Sequence, residues 1–398
     1  MLDVAIIGCG VIGAASAYEL SHYRLQTAVF EAENDVADCT TKANSAILHA
    51  GYDPEPGTQM ARLNVEGSAL AMAEVAVRNG VELHRSCPVT HIEKTADGWA
   101  LTTPDGIVKT RYIINAAGIS AQAVHDMAAP HKFTIQPTRG EYYLLDKSEG
   151  SRVHHVIFQC PNENGKGVLV APTVHGNLLV GPDAVRVEGD NTACTAAGLA
   201  FVSAAARRSV PSIRFGESIR NFAGVRANVD TGDFVIGEAE GAPGFIDLAG
   251  MKSPGLSSAP AVAKEVTKIL KAHGDLPAAK TDYRDGRTRV RFKECSPEEK
   301  ARLIAEDPAY GRVVCRCETI TEGEILNALR EEIPAATIDG VKRRCGAGMG
   351  RCQGGFCGPR VLELISKTLG ISPLDVLQDK AGTNVLLCET KQEENHHD

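Results

Sequence analysis

The chain has 398 residues, 43% hydrophobic and 23% charged, with a formal net charge of −8. These are the values of an ordinary soluble globular protein with room for two or three domains, and the acidic balance gives no reason to expect nucleic-acid binding. Twelve cysteines, in a chain whose first residues Met1-Leu2-Asp3-Val4-Ala5-Ile6-Ile7 put an acid where a signal peptide carries Lys or Arg, point to a reducing, cytoplasmic setting.

Residues 4 to 31 follow the order strand, Gly8-Cys9-Gly10-Val11-Ile12-Gly13, helix, strand, acid. Gly8 permits the tight turn, Gly10 admits a pyrophosphate to the backbone N–H groups, and Gly13 lets helix and strand close up. The helix, from Val11 to about His22, aims its positive end at the phosphates, and Glu31 stands where a carboxylate holds a ribose hydroxyl. An adenine dinucleotide is expected here, NAD and FAD being equally compatible with the loop.

Next come polar and then small residues, Thr40-Thr41-Lys42-Ala43-Asn44-Ser45-Ala46-Ile47-Leu48-His49-Ala50-Gly51, a stretch able to press against a flat ring. A helical stretch is expected from about Gly57 to Asn79, with Gly67 as a weak joint. Val108 to Ile114 reads as a strand ending in Asn115-Ala116-Ala117-Gly118, small residues that can approach a cofactor.

From His131 to about Asp183, Phe133–Pro137, Gly140–Asp146, His155–Cys160, Val168–Pro172 and Asn177–Gly181 read as strands of an antiparallel sheet. Arg139, His154, His155, His175 and Asn221 are polar there, and solvent or a structural hydrogen bond is the expected fate of each. The uncharged stretch Ala193 to Ala206 is too short to span a bilayer, which takes about 18 residues or more. Phe245 to Ala249 forms a strand running into Gly250-Met251-Lys252-Ser253-Pro254-Gly255-Leu256-Ser257-Ser258, with a helix from about Ser258 to His273 whose N-terminus can face a second part of the cofactor.

Asp282 to Asp307 is rich in Arg, Lys and Glu and reads as a linker. Beyond it, Val313-Val314-Cys315-Arg316-Cys317-Glu318 gives a short strand, and Thr321-x-x-Glu324 is a capping box for a helix through Leu329. Ile338 to Arg343 then leads into Cys352-x4-Cys357, and a helix from about Pro359 to Leu369 stops at Gly370. Cys315, Cys317, Cys352 and Cys357 are two short-spaced pairs that can meet at one metal or cluster. Zinc is the bland alternative, although its knuckles usually leave two to four residues between cysteines. Cys345 is expected to be a bystander, and Cys9, Cys39, Cys87, Cys160, Cys194, Cys295 and Cys388 small incidental thiols. The basic group Lys342, Arg343, Arg344 and Arg351 faces either an acidic partner or a negatively charged cluster.

With these motifs the sequence resembles the FAD-dependent D-amino-acid-oxidase-like superfamily. The nearest likeness is to bacterial flavin-dependent glycerol-3-phosphate dehydrogenases and L-2-hydroxyglutarate dehydrogenases with a C-terminal [2Fe-2S] domain of the bacterioferritin-associated-ferredoxin type. The segments Lys252–Pro260 and Gly346–Pro359 carry the likeness most specifically. It implies an α/β protein: a Rossmann-like FAD-binding domain with an antiparallel substrate-domain sheet, plus a small, mainly helical iron-sulfur domain. The boundaries implied are 1–280 for the oxidoreductase, with FAD-binding segments 1–130 and 216–280 and a substrate sheet at about 131–215. A linker at 281–310, the [2Fe-2S] domain at 311–378 and a tail at 379–398 follow.

The resemblance further implies FAD held by Gly8, Gly10, Val11, Ile12, Gly13, Glu31, Lys42, Asn44, Ser45, His49, Val89, Ala116, Ala117, Gly118, Lys252, Ser253, Pro254, Gly255, Leu256 and Ser257. Arg226 would hold an oxyanion of the substrate, with His49 and Lys252 near the flavin as catalytic groups, and the four cysteines would bind [2Fe-2S]. One departure is a segment of the look-alike families missing between Asn64–Gly67 and Ala69–Asn79, which takes away part of the pocket wall. The activity implied is oxidation of a small anionic hydroxy substrate, first glycerol 3-phosphate and then an L-2-hydroxy acid or an amino acid. A non-catalytic FAD and iron-sulfur subunit is the rival. Electrons would pass to a partner flavoprotein or quinone-linked carrier, with no transmembrane segment.

Overall fold

A computed structural model of the chain describes residues 1–44, 68–159, 167–286 and 289–390. Ser45, His49, Cys160 and residues 57–67 of the expected helix lie outside the described residues. The chain divides into two compact units, Met1–Arg287 and Thr288–Asp398.

The first unit is built on a mixed sheet. Its parallel part runs β3 (Glu82–His84), β2 (Thr27–Phe30), β1 (Leu2–Ile7), β6 (Gly106–Asn115) and β13 (Phe245–Ala249), with β12 (Val235–Glu238) antiparallel on the β13 edge. β4 (His91–Thr95) and β5 (Gly98–Thr103) extend it as an antiparallel meander beside β6. The central strands are continuous apolar runs because helices cover them: α1 (Val11–Leu20) packs against α2 (Ser68–Arg78) and the long α5 (Gly255–Ala272). The register fixes the site, since Ile7 pairs with both Phe30 and Asn115, and Asn115 with Asp247. The strands therefore end together, and Gly8, Glu31 and Ala116 leave at one edge, where ligands bind in open α/β sheets.

The antiparallel sheet comprises β7 (Ile135–Leu145), β8 (Leu169–Pro172), β9 (Leu178–Gly181), β10 (Val185–Arg186) and β11 (Ser218–Val229). β7 is one unbroken strand where the sequence suggested two, because β11 pairs with it from Ile135↔Val229 to Leu145↔Ser218 and supplies hydrogen bonds throughout. Ser218–Val229, grouped by sequence with the cofactor segments, thus lies in this sheet. The strand expected at His155–Cys160 reduces, among its described residues, to a bridge between Ile157 and Val170. Helix α4 (Ala196–Ser209) closes the back, burying Val202 and Ala206 against Leu145, Val170, Leu178 and Val180.

In the second unit the charged stretch read as linker contains α6 (Pro297–Glu306), started by a Ser296–Glu299 capping box and Pro297. β14 (Val313–Cys315) and β15 (Ile320–Thr321) pair before α7 (Glu322–Ala328), whose Thr321–Glu324 capping box is formed as the sequence predicts. Ile338–Cys345 is a full helix, α8, which sequence reading saw only as an approach to the second cysteine pair; Thr337 caps it and Gly346 ends it at φ 82°. α9 (Gly358–Leu369) stops at Gly370, φ 67°.

The basic group is largely consumed inside this unit. Arg344 is 1% exposed and donates to the Ile333 and Gly340 carbonyls, Arg343 pairs with Asp379 at 2.8 Å, and Lys342 lies 3.9 Å from Asp339. Three of its four cations thus hold the fold. Among the described residues no helix is long and apolar enough to cross a membrane.

Candidate functional site

The Gly8 turn lies directly on the end of β6. A Cβ at Gly8, which sits at φ +93°, would stand 2.7 Å from the Ala116 carbonyl oxygen and 3.2 Å from the Ala117 Cα. A Cβ at Gly13 would overlap the Gly8 carbonyl oxygen. Loop, helix and strand end are therefore packed backbone to backbone, leaving an edge open to a ligand. Gly13→Ala should weaken flavin binding about five- to 150-fold, since the overlap costs about 1–3 kcal/mol of packing where the loop must be undistorted; titration of the flavin-free protein with FAD measures it.

Glu31 is 8% exposed and takes one backbone donor on each oxygen, Cys9 N–H at 2.6 Å and Glu33 N–H at 2.9 Å. Burial raises its pKa and the two N–H donors oppose the rise. α1 has no acid in its first turn, and its Val11 N–H is held by Thr41 Oγ at 3.0 Å, which ties the segment after β2 to the loop. α5 begins without a side-chain cap or a first-turn acid, and Ser257 Oγ there is buried with no hydrogen-bond partner among the described residues. An uncapped helix N-terminus, a second one whose first N–H is held only by the side chain of another segment, an orphaned hydroxyl and a buried acid suit a long, polar, phosphate-bearing cofactor.

Beneath this edge a buried network fixes the strand ends. Asn115 donates to Asp247 Oδ1 at 2.8 Å and to the Ala121 carbonyl at 2.8 Å, while His125 Nδ1 meets Asp247 Oδ2 at 2.7 Å and Nε2 meets the Pro130 carbonyl at 2.9 Å. Sequence reading missed His125 and Asp247. The usable signal was an acid in the middle of the apolar strand Phe245–Ala249, which needs a buried partner.

Arg226 sits on one face of β11 opposite Thr138, two residues along from Gly224, which faces Gly140. The two glycines leave a hollow: a Cβ at Gly140 would overlap the Arg226 guanidinium, and one at Gly224 the Ala43 carbonyl oxygen. Thr40 Oγ donates to the Val225 carbonyl at 2.5 Å, so the segment from β2 crosses the strand beside Arg226. Arg226 faces the buried Tyr142 hydroxyl and opposes the rise that burial gives its pKa, and the Tyr142 ring stacks on Phe222 with centroids 4.9 Å apart. Among the described residues no carboxylate lies within ion-pair distance of Arg226, unlike Arg139, which is buried on Glu141 at 2.8 Å. Arg139 is thus a structural cation, as foreseen, and Arg226 the half-buried one with charge to offer.

The remaining sequence-derived residues are placed as follows. Lys42 Nζ binds Asp38 at 2.8 Å, and Asn44 Nδ2 donates to the Thr41 carbonyl at 2.6 Å. Val89 packs on the first sheet's core, and Lys252 is half-buried in the turn before α5. Ser45 and His49 fall outside the described residues.

In the second unit the sulfurs stand as two pairs. Cys317 Sγ and Cys352 Sγ are 3.6 Å apart, and Cys315 is hydrogen-bonded to Cys357. The Cys357 contact, with the N–H groups of Gly348, Glu318 and Cys317, pulls the Cys315 thiol down against burial; N–H groups of Phe356 and Gly354 do the same for Cys352. Gly350 is needed because a Cβ there would overlap the Cys317 side chain. No three His, Cys, Asp or Glu side chains among the described residues converge as a single-ion cage requires. Two close sulfur pairs, with N–H donors at Cys315 and Cys352, suit a two-iron cluster with anionic sulfides. Cys345 shares the core with Cys315 and Cys357, its thiol on the Val341 carbonyl at 3.3 Å and pushed up to about 12 by burial.

The sequence profile of the FAD dependent oxidoreductase family matches residues 3–71 and 67–269, and that of the BFD-like [2Fe-2S] binding domain residues 313–367. The chain belongs to the FAD dependent oxidoreductase family. It is 41% identical, over 99% of its length and 100% of the relative's, to the glycerol 3-phosphate dehydrogenase of Caloramator mitchellensis. It is 30% identical, over 68% of this chain and 94% of the relative, to the glycerol 3-phosphate oxidase of Mycoplasma genitalium. Among solved structures, the FAD-bound, dithionite-reduced L-alpha-glycerophosphate oxidase of Mycoplasma pneumoniae aligns with TM-score 0.64 and 26% identity over 73% of this chain and 99% of that one. The FAD complex of the glycerol-3-phosphate dehydrogenase of Bacillus halodurans aligns with TM-score 0.70 over 94% and 91%; at 16% identity it speaks for the fold alone.

Family membership makes FAD and a [2Fe-2S] cluster the cofactors of this oxidoreductase. The departure noted at Gly67–Ala69 has a counterpart in the family profile, which matches in two pieces that overlap at residues 67–71, and the alignment with the Caloramator protein runs 479 positions for a chain of 398.

Proposed function

We propose that the chain oxidises sn-glycerol 3-phosphate to dihydroxyacetone phosphate and sends the electrons out through its second unit. The observation that carries this reading is the 41% identity over essentially both whole chains with a protein named glycerol 3-phosphate dehydrogenase. Bound FAD supplies a two-electron acceptor and the [2Fe-2S] cluster a one-electron exit.

FAD would be held by Gly8, Gly10, Val11, Ile12, Gly13 and Glu31, by Lys42, Asn44, Ser45 and Val89, by Ala116, Ala117 and Gly118, and by Lys252 to Ser257. Arg226, kept over Gly140 by the hollow in the sheet and by Tyr142, binds the substrate phosphate and orients the secondary alcohol. With FAD bound as the hydride acceptor, His49 would take the hydroxyl proton of the alcohol, and Lys252 would supply positive charge beside the flavin. Cys315, Cys317, Cys352 and Cys357 bind the cluster. The onward acceptor is a flavoprotein or quinone-linked carrier in a reducing, cytoplasmic compartment.

A second reading has the chain as an electron-transfer subunit without a working pocket; the two-piece match of the family profile at residues 67–71 favours it. Anaerobic addition of glycerol 3-phosphate separates the two. Complete bleaching of the oxidised flavin band within the mixing time of a spectrophotometer is the expected result. A band that survives glycerol 3-phosphate and L-2-hydroxyglutarate, yet bleaches with dithionite, leaves the subunit reading.

A further inference from the structure

The sheet that carries Arg226 holds more charge than an anion anchor requires. Four charged side chains meet around β7: Arg139 and Glu141 on one of its faces, Arg226 reaching from β11 over Gly140 on the other, and Asp183 at its edge just after β9, next to Pro182, which crowds the same space above Gly140 as the Arg226 guanidinium. Arg139 and Glu141 close on each other at 2.8 Å with side chains 7% and 0% exposed, and Glu141 also accepts from Thr195 N–H and Oγ–H at 2.7 and 2.9 Å. Their charges cancel in place, so Asp183 and Arg226 are the anion and cation left over.

Asp183 is 4% exposed. Its Oδ1 accepts the Glu141 N–H at 2.7 Å, and its Oδ2 is buried with no hydrogen-bond partner among the described residues. A buried, half-satisfied carboxylate is costly unless positive charge stands close by. The ionisable groups facing it are Glu141, Arg139 and Tyr142 from β7, Arg226 from β11 and Cys194 before α4. Burial pushes Tyr142 and Cys194 up, so both are neutral near pH 7; the Glu141 N–H and then the Arg139 and Arg226 charges oppose the burial of the carboxylate, while the Glu141 charge adds to its cost. Arg139 is committed to Glu141.

We propose that Asp183 is the internal counter-charge of Arg226 and takes up a proton when an oxyanion binds there. This rests on Arg226 being the substrate anchor. In the free protein the guanidinium field keeps Asp183 ionised. A bound oxyanion takes up that field and adds negative charge of its own, leaving Asp183 as an uncompensated buried anion. Uptake of one solvent proton by the carboxylate restores neutrality, and no bond of the ligand changes. Asp183 is then a positioning residue: it braces the guanidinium while the site is empty and withdraws its charge when the site fills.

The sign follows. Burial already holds the Asp183 carboxyl above its ordinary value, the Arg139 and Arg226 charges pulling it back, and a ligand that neutralises Arg226 raises it further. A group whose pKa rises on binding makes binding tighter as pH falls, by at most about tenfold per pH unit for one proton. Sulfate is the suitable probe because its charge is constant through the neutral range, whereas a phosphate ester titrates near pH 6 itself.

The experiment titrates FAD-loaded, cluster-containing protein with sodium sulfate, reading the flavin absorbance change, and counts protons with an indicator dye in weakly buffered solution. Wild type should show a Kd rising by up to about tenfold per pH unit above neutrality, with proton uptake approaching one per sulfate. Asp183→Asn should bind with a pH-independent Kd near the acid limit of wild type and take up no proton. Wild-type binding without proton uptake overturns the inference, whether or not the variant folds. So does uptake that persists in Asp183→Asn. Arg226→Ala keeps the two readings apart: if it loses sulfate while wild type takes up no proton, the anchor stands and the counter-charge falls. If Arg226→Ala binds sulfate like wild type, or wild type binds none, both fall.

Discussion

Cys352→Ser will yield a flavoprotein that still takes electrons from its substrate but no longer hands them on. Cys352 is held 3.6 Å from Cys317 and receives N–H donors from Gly354 and Phe356, so it stands among groups arranged for an anionic sulfur centre. A serine hydroxyl at neutral pH lacks the thiolate charge that iron requires, and even losses around a metal's ligands cost about 10–100-fold in affinity. Iron and labile sulfide should drop towards zero per protein, and steady-state reduction of a one-electron acceptor by at least about a hundredfold. Anaerobic bleaching of the flavin should keep its wild-type rate, because FAD and Arg226 belong to the other compact unit. Cys345→Ser is the control. Its thiol is engaged by the Val341 carbonyl and held protonated by burial, and iron content should stay at the wild-type level. Full iron in Cys352→Ser, or loss of iron in Cys345→Ser, refutes the proposed ligand set.

How far the sequence spoke depended on how local the physics was. The Gly8-to-Gly13 loop, the Thr321–Glu324 capping box and the stop at Gly370 are short-range devices, each set by a few neighbouring residues, and all three could be read from residue type and spacing. The merging of two expected strands into β7 could not, because the reason lies in a partner strand more than 70 residues away, whose ladder removes any cause for a break. The same holds for the basic group at Lys342 to Arg344. By composition it advertises a docking surface, yet its side chains fold back onto Ile333, Gly340, Asp339 and Asp379, and only three-dimensional proximity shows this. Asp247, His125 and Asp183 went unread for a related reason: a buried acid matters through partners from other strands, and a single sequence does not say which strands will be neighbours.

Arg226→Ala should raise the KM for glycerol 3-phosphate by about a hundredfold or more while leaving flavin content intact. Arg226 is half-buried, is placed over Gly140 by the absence of a Cβ there, faces Tyr142, and has no carboxylate within ion-pair distance among the described residues. A guanidinium held this way has its fork free for two charge-assisted hydrogen bonds, each contributing about 1.5–3 kcal/mol, so losing both removes about 3 kcal/mol or more of substrate binding. That is the hundredfold, at about 1.4 kcal/mol per factor of ten. A structural cation would behave differently. Arg139→Ala strands Glu141, 0% exposed, without its counter-ion, and should show first as lost stability with the KM of the surviving enzyme nearly unchanged. Arg226→Lys sharpens the test further, since an ammonium keeps the charge and loses the fork; a KM between those of wild type and alanine is expected. Steady-state kinetics beside thermal melts of the three variants give the comparison. A KM in Arg226→Ala within threefold of wild type, at about full flavin occupancy, would remove Arg226 from the substrate site and leave the phosphate to be held by residues outside the sheet.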